Sequence, residues 1–302
     1  MTVRELLNLA AKRLSRSKSA SPDLDAEVLL SHVLDKPKEY LLANPGQTVS
    51  QKLEKRFHIF LTRRLMGWPV AYLAKKKEFY GLGFYVDENV LIPRPETEGL
   101  VELAMKTIGI KNGLNILDVG TGSGNIIVSV AKKLGSKNRY FASDISPAAL
   151  LIAKKNAKQH KVKIIFKHGS LLTPWKKQHF DIIVANLPYL AEETDASTKF
   201  EPKQALIAEK KGLGLLEELF KQISFVIPAK AGIQTKSSLS GSRIKSGMTR
   251  APQFLFLEIG ETHGPAIKKL VKKYLPAFET KIYKDLSGFE RFAILQNLST
   301  IS

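Results

Sequence analysis

The run Asn115-Ile-Leu-Asp-Val-Gly-Thr-Gly-Ser-Gly-Asn125 decides the fold. Five residues of strand character lead into glycines at alternate positions, Gly120, Gly122 and Gly124, and an apolar helical pattern continues from Asn125 to Leu134. Glycines let the backbone turn sharply and let a ligand approach the main chain, while the helix that follows offers unpaired N–H groups at its start. The spacing Gly-x-Gly-x-Gly differs from a dinucleotide fingerprint, whose third glycine would fall at Asn125. Thr121 and Ser123 fill the loop, and Asp118, two residues before Gly120, places a carboxylate where a cationic ligand end would be met.

Working outward, strand-like runs over Asn115–Val119, Arg139–Ser143, Lys163–Lys167 and Phe180–Ala185 alternate with helical patterns over Asn125–Leu134 and Pro147–His160. This alternation predicts an α/β fold with a doubly wound sheet and right-handed crossovers. A helix over Leu213–Ser224, a strand over Phe254–Ile259, a helix over Pro265–Tyr274 and a terminal pair, Glu279–Lys284 and Arg291–Leu295, bring the sheet to about seven strands. Residues 1–66 read as a small helical domain, with Thr2, Ser21-Pro22 and Ser50 opening three helices. Residues 67–90, with Val70, Tyr72, Phe79, Tyr80, Phe84, Tyr85 and Val86 around the turn residues Gly81 and Gly83, are expected to form a β-hairpin connector, and residues 91–302 the α/β domain. Pro228–Arg250 has no acid and no apolar periodicity, and it far exceeds the usual helix-to-strand connection of about 2–6 residues. It is expected to be a disordered surface insertion.

Asp144 ends the second strand-like run, placed to accept hydrogen bonds from ribose hydroxyls. An acidic mouth beside a glycine loop suits S-adenosylmethionine, which carries an ammonium and a sulfonium and no phosphate. A tight strand–helix turn with a capping aspartate, or a nicotinamide site, competes with that reading.

Composition narrows the chemistry. The 302 residues include no cysteine, which excludes disulfide scaffolds, thiolate zinc sites and thiol nucleophiles, including the covalent route to 5-methylcytosine. The six histidines show no metal-ligand spacing, so no metal is expected. No apolar run approaches a membrane span, and the amphipathic start MTVRELLNLAAKRLSRS is unlike a signal peptide, so a soluble cytoplasmic protein is the expectation. Lys and Arg outnumber Asp and Glu by 47 to 28, a net charge of +19, which first suggests nucleic acid. Five of those charges come from residues 226–252 and the rest are spread out, so no single basic block marks a nucleic-acid face.

After the fourth strand-like run comes Asn186-Leu187-Pro188-Tyr189. A loop after a strand at the C-terminal edge of an α/β sheet faces the ligand crevice. An amide or exocyclic amine has two N–H donors, which the Asn186 side-chain oxygen and the Pro188 main-chain oxygen are suited to accept, with Tyr189 as an aromatic wall. In isolation an Asn-x-Pro turn with a core tyrosine is the alternative.

The glycine loop with Asn-x-Pro-Tyr resembles class I methyltransferases that act on amino groups: adenine N6, cytosine N4 and protein glutamine N5 enzymes. Asn-Leu-Pro-Tyr is also similar to the ribosomal RNA adenine dimethyltransferases. Upstream and downstream stretches choose between them. Gly67-Trp-Pro-Val-Ala-Tyr72, Glu78-Phe-Tyr-Gly81, Leu91-Ile-Pro-Arg-Pro-Glu-Thr-Glu98, Phe200-Glu-Pro202, Leu257-Glu-Ile-Gly260 and Asp285-Leu-Ser-Gly-Phe-Glu-Arg291 look like the peptide chain release factor N5-glutamine methyltransferase family. The resemblance implies a seven-stranded class I methyltransferase sheet behind a helical N-terminal substrate-recognition domain. It also implies methyl transfer from S-adenosylmethionine to the glutamine of the Gly-Gly-Gln loop of class I release factors, leaving S-adenosylhomocysteine.

By that match Asp118, Gly120, Thr121, Gly122, Ser123, Gly124, Asp144 and Asn186 hold the donor, and Asn186, Leu187, Pro188 and Tyr189 hold the glutamine. The family often carries Asp-Trp near the adenine; here Ser170-Leu171 stands there, leaving Leu171 as an apolar contact. Leu187 replaces the commoner first proline. Arg94 and Glu98 are read as parts of a capped helix start, and Pro228–Arg250 looks like a mobile intergenic repeat inserted in frame. The implied partners are release factors, with a monomeric chain, no membrane and no obligatory nucleic acid. An adenine N6 methyltransferase acting on RNA or DNA is the second reading, and a degenerate donor-binding protein the third.

Overall fold

The computed structural model describes residues 1–17, 19–175, 177–190, 198–207, 209–210, 212–225 and 250–300. They fall into two compact units: Met1–Lys77 with Val86–Glu88 and the stretch 198–200, and Glu78–Tyr85 with the rest of the chain from Asn89 onward.

The first unit is helical: α1 Val3–Arg16, α2 Pro22–Leu34, α3 Lys38–Ala43, α4 Gln51–Leu65 and α5 Val70–Ala74. Thr2 begins α1 in a capping box, its hydroxyl accepting from the Glu5 N–H while the Glu5 carboxylate accepts from the Thr2 N–H at 2.8 Å. Leu6, Ala10 and Leu14 of α1 meet Leu29 and Leu30 of α2 and Phe57 and Leu61 of α4 in one apolar core. Ser21 and Ser50 start their helices without a side-chain cap. Two differences from the sequence reading stand out. The strand character expected from Val70 is replaced by α5, because Pro69 starts a helical turn and Tyr72 and Leu73 are both buried there; burial overrides β-propensity. The hairpin is confined to β1 Lys77–Phe79 and β2 Leu82–Phe84. Helix α3 buries only Leu41, too little apolar pattern to read.

The second unit carries α6 Glu98–Ile108, β3 Asn115–Val119, α7 Asn125–Leu134, β4 Arg139–Asp144, α8 Pro147–Gln159, β5 Ile164–His168 and β6 Ile182–Ala185. It continues with α9 Gly214–Ser224, β7 Phe254–Glu258, α10 Gly264–Tyr274, β8 Phe278–Lys284 and β9 Glu290–Asn297. Seven strands pair in the order β5-β4-β3-β6-β7-β9-β8. Strands β3 to β7 run parallel, and β9 enters antiparallel between β7 and β8. Period-two alternation splits the side chains between the two faces. Leu117, Val119, Ile183, Leu255 and Leu257 pack with α9 and α10, while Ile116, Ile182, Val184 and Phe256 pack with α6 and α7. The hairpin contributes Phe79 and Phe84 to the second core.

Strand β3 pairs with β4 on one side and β6 on the other, so the chain order reverses at β3. That switch point opens a crevice beyond the C-terminal ends of these strands. The expected insertion lies outside the described residues except for Arg250, whose guanidinium pairs with Asp181 at 3.0 Å. Among the described residues no helix is long and apolar enough to cross a membrane.

Candidate functional site

A cleft of about 310 Å³ occupies this switch point, within the range of small-molecule sites. One wall is the glycine loop, from which Gly120, Thr121, Gly122 and Ser123 line it. The loop is held by backbone bonds from the N–H groups of Gly120 and Thr121 to the Ser143 carbonyl, at 2.8 and 3.0 Å. All three glycines have positive φ, and at Gly122 no atom lies within 4 Å of the place a Cβ would take, so the loop tip faces open space.

Asp144, at the end of β4, lines the cleft. Its Oδ2 accepts from the Gly122 N–H at 2.8 Å and its Oδ1 from the Ser146 N–H at 2.8 Å. Burial pushes this carboxyl above its ordinary range, against those backbone donors. Ile145, 60% exposed, and Leu171 add apolar surface beside it. Leu171 is the non-glycine residue that holds a positive φ there, 49°, and its carbonyl accepts from Ser143 Oγ at 3.1 Å.

Asp118 and Gly124 stand apart from the cleft wall. Gly124 turns the chain into α7 and faces Ala153. The sequence reading sets Asp118 against a cationic ligand end; the structure instead puts it under the loop with no exposure, where its Oδ2 accepts from Thr121 Oγ1 at 2.6 Å. Burial raises its carboxyl to about 7, the Thr121 hydroxyl opposes this, and the charge of Asp144 adds to it. Every residue of β3 is buried, which keeps this side chain inside the fold rather than in the cleft wall.

The opposite wall is the loop after β6, from which Asn186, Leu187 and Pro188 line the cleft. Leu187 is buried over the glycine loop, so near that a Cβ on Gly120 would stand 2.8 Å from Leu187 Cδ2. Asn186 Nδ2 donates to Thr97 Oγ1 at 3.2 Å, and Thr97 Oγ1 donates to Glu258 Oε2 at 2.7 Å. Tyr189 is not in the cleft wall; its hydroxyl donates to Glu258 Oε1 at 3.3 Å. Burial first, and then the charge of Glu258, push that phenol up to about 12.

Sequence reasoning thus brings together most of both walls and misses what stands behind them. Thr97, which also lines the cleft, comes from the Leu91–Glu98 stretch. Glu258 ends β7 within Leu257–Gly260. Both stretches carry the family resemblance, yet nothing in their sequence marks these two residues for a role at the site. Arg94 lines the cleft as well as pairing with Glu201 at 2.7 Å, and the Glu201 carboxylate also accepts from the Ile92 N–H. Glu98 is structural, accepting from the Tyr80 N–H at 2.9 Å.

Residues 5–74 match the PrmC N-terminal domain family, and residues 110–248 match a methyltransferase domain family. A solved methyltransferase from Pyrococcus furiosus, 16% identical, superposes over 78% of this chain and 96% of its own with a TM-score of 0.50, a likeness of fold. Similarity in sequence is closer. A release factor glutamine methyltransferase of Aliivibrio fischeri is 39% identical over 70% of this chain and 76% of its own length. One from Enterococcus faecalis is 36% identical over 84% and 85%. The chain belongs to the release factor glutamine methyltransferase family.

Proposed function

We propose that this enzyme transfers a methyl group from S-adenosylmethionine to the side-chain amide nitrogen of the glutamine in the Gly-Gly-Gln loop of class I release factors. The observation that carries the reading is Asn186, at the end of β6 in the wall of the cleft, with its amide nitrogen already engaged by Thr97 and its Oδ1 left to accept. The donor, when bound, supplies an electrophilic methyl on a sulfonium.

The residues of the cleft fit that donor. Gly122 leaves room for a ligand against the main chain, and the Asp144 carboxylate, with two of about four acceptor positions used, can take ribose hydroxyls. Leu171 and Ile145 offer apolar surface to a flat base. Asp118 supports the loop from below through Thr121.

Asn186 Oδ1 and the Pro188 carbonyl accept the two N–H bonds of the substrate amide, which fixes the direction of its nitrogen. Orientation is what such a weak nucleophile needs, and no strong base is called for. Tyr189 acts from behind through Glu258. The helical unit recognises the release factor, and the enzyme works as a cytoplasmic monomer in translation termination, without a membrane or an obligatory nucleic acid.

The test supplies radiolabelled S-adenosylmethionine with a release factor, with the same factor carrying alanine for its Gly-Gly-Gln glutamine, and with RNA or DNA. Label is expected on the first alone. Label on nucleic acid would favour the adenine reading, and label on the alanine variant would overturn the site. Asn186→Ala is expected to keep donor affinity and lose transfer by about two orders of magnitude or more; near-parental turnover would remove Asn186 from this role.

A further inference from the structure

We infer that Thr97 and Glu258 are positioning residues that lock the amide of Asn186 with its oxygen toward the substrate. The inference rests on the proposed transfer to a glutamine amide and adds how the enzyme selects one of two amide orientations.

An asparagine amide has two faces of similar shape and opposite polarity. One presents an acceptor and the other two donors. A substrate NH₂ group needs the acceptor. Inverting the amide puts N–H against N–H, and the substrate nitrogen loses its alignment.

Three residues from distant parts of the chain remove this ambiguity. Glu258 is 2% exposed, and each of its carboxylate oxygens faces a hydroxyl, Thr97 Oγ1 at 2.7 Å and Tyr189 Oη at 3.3 Å. An ionised carboxylate only accepts, so it satisfies both hydroxyls as donors. Burial pushes the Glu258 carboxyl up, and the hydrogen bond from Thr97, the charge of Arg291 and the hydrogen bond from Tyr189 oppose it by stabilising the ionised form. Thr97 has a single hydroxyl proton. With it committed to Glu258, the Thr97 oxygen can only accept from Asn186, which must present Nδ2 at 3.2 Å. Oδ1 is thereby directed away from Thr97. Thr97 is 1% exposed and lies in the turn that leads into α6, so its hydroxyl is held by the fold.

The chain of donors also predicts what each change does. Thr97→Val keeps the shape and removes the oxygen, so the amide of Asn186 loses its reference. Glu258→Gln puts an NH₂ group within reach of Thr97, which frees the Thr97 proton for Asn186 and favours the inverted amide.

The test measures kcat and KM for methyl transfer to a release factor, with donor affinity by calorimetry, for the parent, Thr97→Val, Thr97→Ser, Glu258→Gln, Asn186→Ala and the Asn186→Ala/Thr97→Val pair. Thr97→Val and Glu258→Gln are expected to lower kcat about tenfold, equivalent to about 1.4 kcal/mol of lost transition-state stabilisation, with KM and donor affinity little changed. Thr97→Ser should restore most of kcat, since it keeps the hydroxyl. The decisive comparison is the pair: if Thr97 acts through Asn186, removing it in the Asn186→Ala background costs nothing more.

Parental kcat in both Thr97→Val and Glu258→Gln, or an additive loss in the pair, would overturn the inference while leaving the proposed function intact. Should Thr97→Val fail to bind donor, Glu258→Gln against Thr97→Ser decides the same question. Absence of label on the release factor with the parent enzyme would overturn the function and the inference together.

Discussion

Gly120 is where the two walls of the cleft meet, and a single methyl group there tests that meeting. In Gly120→Ala two costs arise together. The φ of +72° puts an L-residue in the left-handed region, worth about 1–2 kcal/mol. The new Cβ would stand 2.8 Å from Leu187 Cδ2, so Leu187, itself buried, has to leave its seat, an overpacking cost of about 1–3 kcal/mol. Their sum is on the order of 2–5 kcal/mol. Urea unfolding of the parent, Gly120→Ala, Leu187→Ala and the double variant separates them. Leu187→Ala alone opens a cavity and costs about 2–5 kcal/mol. In the double variant the alanine at 120 occupies part of that cavity and the clash is gone, while the backbone strain remains. The double loss should therefore fall short of the sum of the single losses by about 1–3 kcal/mol. Additivity within about 0.5 kcal/mol would refute the contact between the two loops.

Three further outcomes are expected. In Asp144→Ala the Gly122 and Ser146 N–H groups lose a charged acceptor, and affinity for S-adenosylhomocysteine should fall about 10- to 100-fold by calorimetry; an unchanged dissociation constant would count against a donor contact at Asp144. Burial raises the Asp118 carboxyl from 3.8 to about 7, so the folded chain holds a proton that the unfolded chain releases, and stability contributed there is present at low pH and lost as pH rises through about 7. Asp118→Asn should lose less stability between pH 5 and pH 8 than the parent in urea titrations, and equal losses would show that Asp118 does not titrate in this window. Removing residues 228–249 should leave transfer within about threefold of the parent, because chain closure depends weakly on loop length; a much larger loss would show that the segment takes part in function.

Much of the fold was legible because its signals are local. The glycine spacing at 120–124, the alternation of strands and helices beyond it, and the prolines at 22, 147 and 265 each act within one turn or one strand. Element limits for β3 and α7 follow from them directly. The losses came where tertiary burial decides. Val70 and Tyr72 have strand propensity, but Val70–Ala74 folds as a helix, since Tyr72 and Leu73 are buried together. Asp118 reads as a ligand contact by position, yet every residue of β3 is buried and its side chain lies under the loop. Thr97 escapes a reading of the sequence because its role depends on Asn186 and Glu258, separated from it by 89 and 161 residues.

The tetrapeptide at 186–189 does not by itself choose its substrate. An asparagine oxygen and a proline carbonyl accept the hydrogens of an adenine amine as readily as those of a glutamine amide, because both are planar NH₂ groups with the same two donors. The stretches that distinguish the glutamine family in sequence, Leu91–Glu98 and Leu257–Gly260, supply Thr97 and Glu258, the two groups behind Asn186. Their association with the tetrapeptide thus has a physical reading: they set the polarity of the acceptor. The rest of the Leu91–Glu98 stretch bears on what can reach it, since Arg94 lines the cleft with its charge tied to the buried carboxylate of Glu201. A cation neutralised in this way is a poor phosphate anchor, which is consistent with a protein loop at this edge.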